Sequence, residues 1–125
     1  MTNVDNPRNR TRVDELAENY VADLVKLQPT AATAMGIGGY DDQLPDYSPD
    51  GLAQHAQLRQ RTLAEINAAP IADDIDRVTV AAMNERLGIE QELYDAGEFH
   101  RELNVIDCPA QELREVFTLM PTETI

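Results

Sequence analysis

Three side chains in this sequence are of the types that ligate transition metals or act as nucleophiles and bases: His55, His100 and Cys108. A zinc site needs three or four His, Cys or acidic ligands brought together. His55 stands in Ala53-Gln-His-Ala-Gln57, with no second ligand at helical spacing. His100 has Glu98 and Glu102 nearby, but a spacing of two does not place groups on one helix face. No His-Glu-x-x-His occurs. Both histidines are therefore expected to be partly exposed and free of metal. Cys108 paired with His100 is the one arrangement that suggests nucleophilic catalysis. Asp107 raises the pKa of a neighbouring thiol, whereas the helix start signalled by Pro109 somewhat activates it. With no motif around it, Cys108 is expected to be a small apolar residue or a cap substitute.

The glycines and aspartates add no further chemistry. Gly36-Ile-Gly-Gly39 lacks the third glycine of a dinucleotide fingerprint and the Gly-Lys-Ser/Thr of a P-loop. Asp41-Asp42 and Asp73-Asp74-Ile-Asp76 lack the D-x-D-x-D-G spacing and late Glu of a calcium loop. Helix capping and loop solvation account for both. Carboxylate pairs are so abundant here that naming one as a glycosidase dyad is arbitrary. No catalytic, metal or cofactor-binding residue is thus expected within this chain.

The elements that carry these residues read as helices. Thr11 is an N-cap with Asp14 three positions on, a capping box with Asp in place of Glu. Val13, Leu16, Ala17, Tyr20, Val21, Leu24 and Val25 follow at spacings of three and four, and Pro29 ends the helix. A short helix from Pro29 through Met35 is closed by Gly36. The segment from Gly36 to Tyr47, with three glycines, a proline and three aspartates, is a loop. Ser48-Pro49-Asp50 starts the next helix, with Leu52, Ala56, Leu63 and Ile66 inward and Pro70 as stop. Asp73 or Asp74 caps a long helix to about Ala96. It carries two apolar stripes, Ile75, Val78, Ala82, Ile89, Leu93 and Val80, Met83, Leu87, Tyr94, which predicts a central helix packed between neighbours. Close helix approach is expected at its Gly88. Residues 98–108 read as irregular, and Pro109 opens a last helix with Leu113, Val116, Phe117 and Met120 on one face. Pro121 ends it, and Thr122–Ile125 reads as the start of another element, as in a truncated chain. The fold class is all-α, an irregular bundle of four main helices plus one short one. The domain is expected to span 11–125 behind a disordered tail, residues 1–10.

Composition agrees with helix packing. Trp is absent and aromatics are 5% of 125 residues, so the core must be aliphatic. The net charge of −13, with a single Lys, argues against nucleic acid and against an anionic membrane surface. One cysteine allows no internal disulfide, the N-terminus has no signal-like apolar run, and no stretch approaches membrane length. A cytoplasmic location is expected.

The order of four segments carries a family resemblance: Leu16-Ala-Glu-Asn-Tyr20, Leu27-Gln-Pro-Thr-Ala-Ala-Thr-Ala-Met-Gly36, Gly39-Tyr-Asp-Asp-Gln-Leu-Pro-Asp46 and Ser48-Pro-Asp-Gly-Leu52. Gly97-Glu-Phe-His-Arg-Glu-Leu-Asn104 and Pro109-Ala-Gln-Glu-Leu-Arg114 through Leu119-Met-Pro-Thr122 continue the pattern. It resembles the N-terminal region of the bacterial domain-of-unknown-function 885 family. That resemblance implies a longer, mostly helical, zinc-metallopeptidase-like protein whose zinc motif lies far downstream of these residues. Zinc is thus implied for a full-length relative, not for this chain, which is expected to be inactive alone. It further implies that the Gly36–Tyr47 loop lines a substrate cleft, with Tyr40 and Asp41 as contacts. The missing C-terminal portion would then be the partner. The alternative is a freestanding acidic helical module that binds a protein partner or forms a homo-oligomer.

Overall fold

The computed structural model describes residues 8–101, 104–106 and 108–119. It is all-α. The helices are α1 (Arg12–Leu27), α2 (Pro29–Met35), α3 (Pro49–Ala68), α4 (Asp74–Asp95) and α5 (Pro109–Leu119), with a 3-10 turn at Glu98–His100 between the last two. Most of the expected tail, residues 1–7, lies outside the described residues, as do Asp107, Met120 and the segment after Pro121.

Local chemistry sets each boundary. At the start of α1 the capping box closes in both directions: the Asp14 N–H donates to Thr11 Oγ1 at 3.2 Å and the Thr11 N–H donates to Asp14 Oδ2 at 2.9 Å. Gly36 takes φ 73° after α2, a conformation that costs glycine little. Ser48 caps α3 by accepting from the Gly51 N–H at 3.2 Å. Asp73 caps α4 by accepting from the Asp76 N–H at 2.8 Å.

α1 packs on α3, α3 on α4, and α1 also touches α4. Val13, Leu16 and Ile66 form the buried cluster between them, with Ala69, Val80 and Met83 against it. α5 reaches back to α2, and the 3-10 turn folds against α4.

Arg8 ties the N-terminal end of this core together. Its guanidinium pairs with Asp14 at 2.5 Å, with Asp76 at 2.5 Å, and with Asp73. Asp76 is fully buried; besides Arg8 it accepts from the Thr11 hydroxyl and the Ala72 N–H, each at 2.8 Å. The aspartates 73 and 76 thus fasten α4 to α1.

The expectation for α4 is corrected. Val80, Met83, Leu87 and Tyr94 turn inward, but the other stripe is uncovered, from 41% exposed at Leu93 to 69% at Val78. α3, α1 and the 3-10 turn meet α4 elsewhere, and among the described residues this stripe stays exposed. Val21 of α1 is also exposed rather than inward.

The glycines separate in the same way. A Cβ on Gly88 would meet nothing within 4 Å, so no close helix approach occurs there. A Cβ on Gly51 would lie 1.9 Å from the Asp46 carbonyl oxygen. Gly51→Ala is therefore expected to lower stability by about 1–3 kcal/mol through overpacking against backbone. Gly88→Ala is expected to raise it by about 0.5–1 kcal/mol, since glycine in a helix interior costs conformational entropy. Paired thermal melts check both signs.

Candidate functional site

A cavity of about 410 Å³ lies between α1, α3 and α4, with the end of the 36–48 loop and the start of α5 at its rim. Tyr20 and Leu24 come from α1, His55 and Arg59 from α3, and Glu90 from α4. Tyr47 closes it from the loop, whose course past α3 is allowed only because residue 51 is glycine.

Arg59 is the central charge. It is 6% exposed, in the middle of a helix and facing the bundle. Its guanidinium carbon stands 5.9 Å from the Tyr94 ring centroid and 5.8 Å from that of Phe99, within cation–π range of both. Its Nη1 is 3.7 Å from Glu90 Oε2, close enough for charge attraction but too far for a hydrogen bond. Among the described residues its buried Nε has no hydrogen-bond partner.

This charge and the burial around it set the protonation of the neighbours. Burial pushes the Tyr20 phenol up to about 12; the Glu90 carboxylate adds to the shift and Arg59 opposes it. Tyr20 is therefore a neutral hydrogen-bond donor across the physiological range. Burial, and then the Arg59 charge, hold the His55 imidazole below its ordinary value, while a hydrogen bond to the Leu27 backbone opposes them. His55 is accordingly neutral at pH 7. A depressed histidine pKa means that the unfolded chain binds the proton first. The related stability is complete above about pH 6.5 and is lost as pH falls through the depressed value. A proton NMR titration is expected to place the His55 midpoint below about 6.5, and Arg59→Met is expected to raise it.

The site residues expected from sequence fall elsewhere. Tyr40 is half-buried and Asp41 exposed, where it accepts from the Thr33 hydroxyl at 3.0 Å. Neither lines the cavity; the same loop contributes Pro45, Asp46 and Tyr47 instead. His55 is half-buried at the cavity, His100 is exposed on the 3-10 turn, and Cys108 is buried ahead of α5. Among the described residues no three His, Cys, Asp or Glu side chains group to hold a metal. The cavity thus sets a buried cation beside two aromatic rings.

Arg59 did leave a signal in the sequence. Leu52, Ala56, Leu63 and Ile66 form the apolar stripe of α3 in sequence, and the position that completes the spacing between 56 and 63 is 59. An arginine on an apolar stripe is a buried charge in need of partners.

No curated protein matches this chain. A family model described as bacterial protein of unknown function (DUF885) matches residues 29–125, from α2 through α5. The matched stretch holds the loop and the α3 and α4 walls of the cavity, and the chain belongs to this DUF885 family of bacterial proteins.

Proposed function

We propose that this chain is the N-terminal helical segment of a metallopeptidase-like hydrolase, inactive alone, which supplies scaffold and one wall of a substrate cleft. The hydrolase part of this reading rests on the family resemblance. The scaffold part rests on one observation, the uncovered apolar stripe of α4, Ile75, Val78, Ala82, Ile89 and Leu93. Large apolar side chains repeatedly exposed along one helix face mark a packing surface. Phe117 on α5 is likewise 61% exposed. In this reading the zinc belongs to the C-terminal portion, the cover for α4 is that same portion, and the assembly works in the cytoplasm. The Gly36–Tyr47 loop faces substrate, with Tyr40 and Asp41 as contacts.

Peptide turnover tests it. This chain, with zinc supplied, is expected to leave a fluorogenic peptide uncleaved, and a full-length relative is expected to cleave it. Alanine at the positions of Tyr40 and Asp41 in that relative is expected to weaken turnover. Cleavage by this chain, or a full-length relative that cleaves no peptide, overturns the reading; unchanged turnover in the alanine variants removes the loop contacts from it.

The same stripe supports a second reading, a freestanding helical module that buries α4 against another protein or a second copy of itself. A stable dimer in sedimentation at micromolar concentration, lost on Val78→Glu, favours that reading over the first.

A further inference from the structure

We infer that the α1/α3/α4 cavity is a binding site for a monocarboxylate with an apolar or aromatic body, its carboxylate held by Arg59. The site stands independently of the hydrolase reading, because it is a property of binding and requires no turnover.

A guanidinium has five N–H groups in a planar fork and cannot give up its charge. Arg59 is buried, yet among the described residues its Nε has no hydrogen-bond partner, and the carboxylate paired with it, Glu90, stays at 3.7 Å. Leaving buried charged donors unmet is costly. The Tyr94 and Phe99 rings, at 5.9 and 5.8 Å, attract the cation without accepting hydrogen bonds from its N–H edge. The group that satisfies such an edge is a planar two-oxygen anion, received side-on.

The surroundings select the rest of the ligand. The cavity of about 410 Å³ falls in the range that encloses small molecules. Its lining includes Leu24, Leu52, Leu58 and Phe99, which favour an apolar body over a sugar or nucleotide. The Asp46, Glu90 and Glu112 carboxylates in the lining and the chain's net charge of −13 favour a single negative charge, seated at Arg59, over a phosphate dianion. Tyr20, held neutral by its burial, can add one O–H donor.

Isothermal titration of the full 125-residue chain with N-acetyl-L-phenylalanine tests this, with the uncharged N-acetyl-L-phenylalaninamide as its matched control. Saturable binding of the acid is expected, at least tenfold tighter than the amide. Arg59→Met is expected to abolish the difference, and Glu90→Gln, which removes the competing carboxylate, to tighten the acid severalfold. A tripeptide ending in phenylalanine distinguishes the source: tighter binding than the single residue points to a peptide terminus, equal binding to a free acid. Equal affinity for acid and amide, no saturable binding of the acid, or an acid affinity unmoved by a folded Arg59→Met chain overturns the inference. Should Arg59→Met fail to fold, the comparison of acid and amide on the unaltered chain still decides it.

Discussion

Asp76→Ala is expected to lower the unfolding free energy by roughly 2–4 kcal/mol, because it strips a fully buried carboxylate from three donors at once. The Ala72 N–H loses its partner near the start of α4, the Thr11 hydroxyl loses the acceptor that links α1 to α4, and Arg8 keeps Asp14, Asp73 and a long hydrogen bond to the Thr11 hydroxyl. Urea unfolding checks this through a lower midpoint at unchanged slope. The same cluster makes a pH prediction. The Arg8 guanidinium, followed by backbone hydrogen bonds, holds the Asp14 and Asp73 carboxyls below the usual range. Folded pKa values that are depressed stabilise above the unfolded value of about 3.9, and that contribution disappears as pH falls through the depressed values. Acid unfolding is therefore expected below about pH 4, and Arg8→Met is expected to flatten the pH dependence there.

The second large effect is Ile66→Ala, expected to cost about 2–5 kcal/mol. Ile66 is fully buried against Val13 and Leu16, where α3 crosses α1. The aliphatic cluster around it is small, so little can move to fill the void. Ala56 lies on the same helix and is also buried, but has no comparable side chain to lose. Thermal melts of Ile66→Ala beside Ile66→Val measure the gradient: the valine variant is expected to lose about 0.5–1.5 kcal/mol.

Helix positions were legible because their signals are local. Thr11 with Asp14, Ser48 with Pro49, Asp73, Gly36 and Gly97 each fix a terminus through groups within a few residues. Which face is covered is not a local property. The two stripes of α4 are equally apolar as sequence, and only the placement of α3 decides that Leu87 is buried while Val78 is open. Gly88 was ambiguous for the same reason, since a helical glycine indicates close packing only when another element is there to pack.

The cavity was hidden for a different reason. Its residues come from positions 20, 47, 55, 59, 90 and 99, so no spacing rule joins them. A search for nucleophiles and metal ligands passes over a buried arginine that ligates nothing. The informative oddity was Arg59 on the apolar stripe of α3, and its meaning depended on Tyr94 and Phe99 arriving from across the bundle.

The central claim is that α4 presents a packing surface that this chain leaves uncovered. Fluorescence of a dye that reports exposed apolar surface, recorded with far-UV circular dichroism, tests it most directly. The account predicts strong dye binding by the helical chain, and loss of most of it in a Val78→Glu, Ile89→Glu double variant whose helicity is unchanged. Little dye binding by the unaltered chain, or dye binding that survives both substitutions, would contradict it.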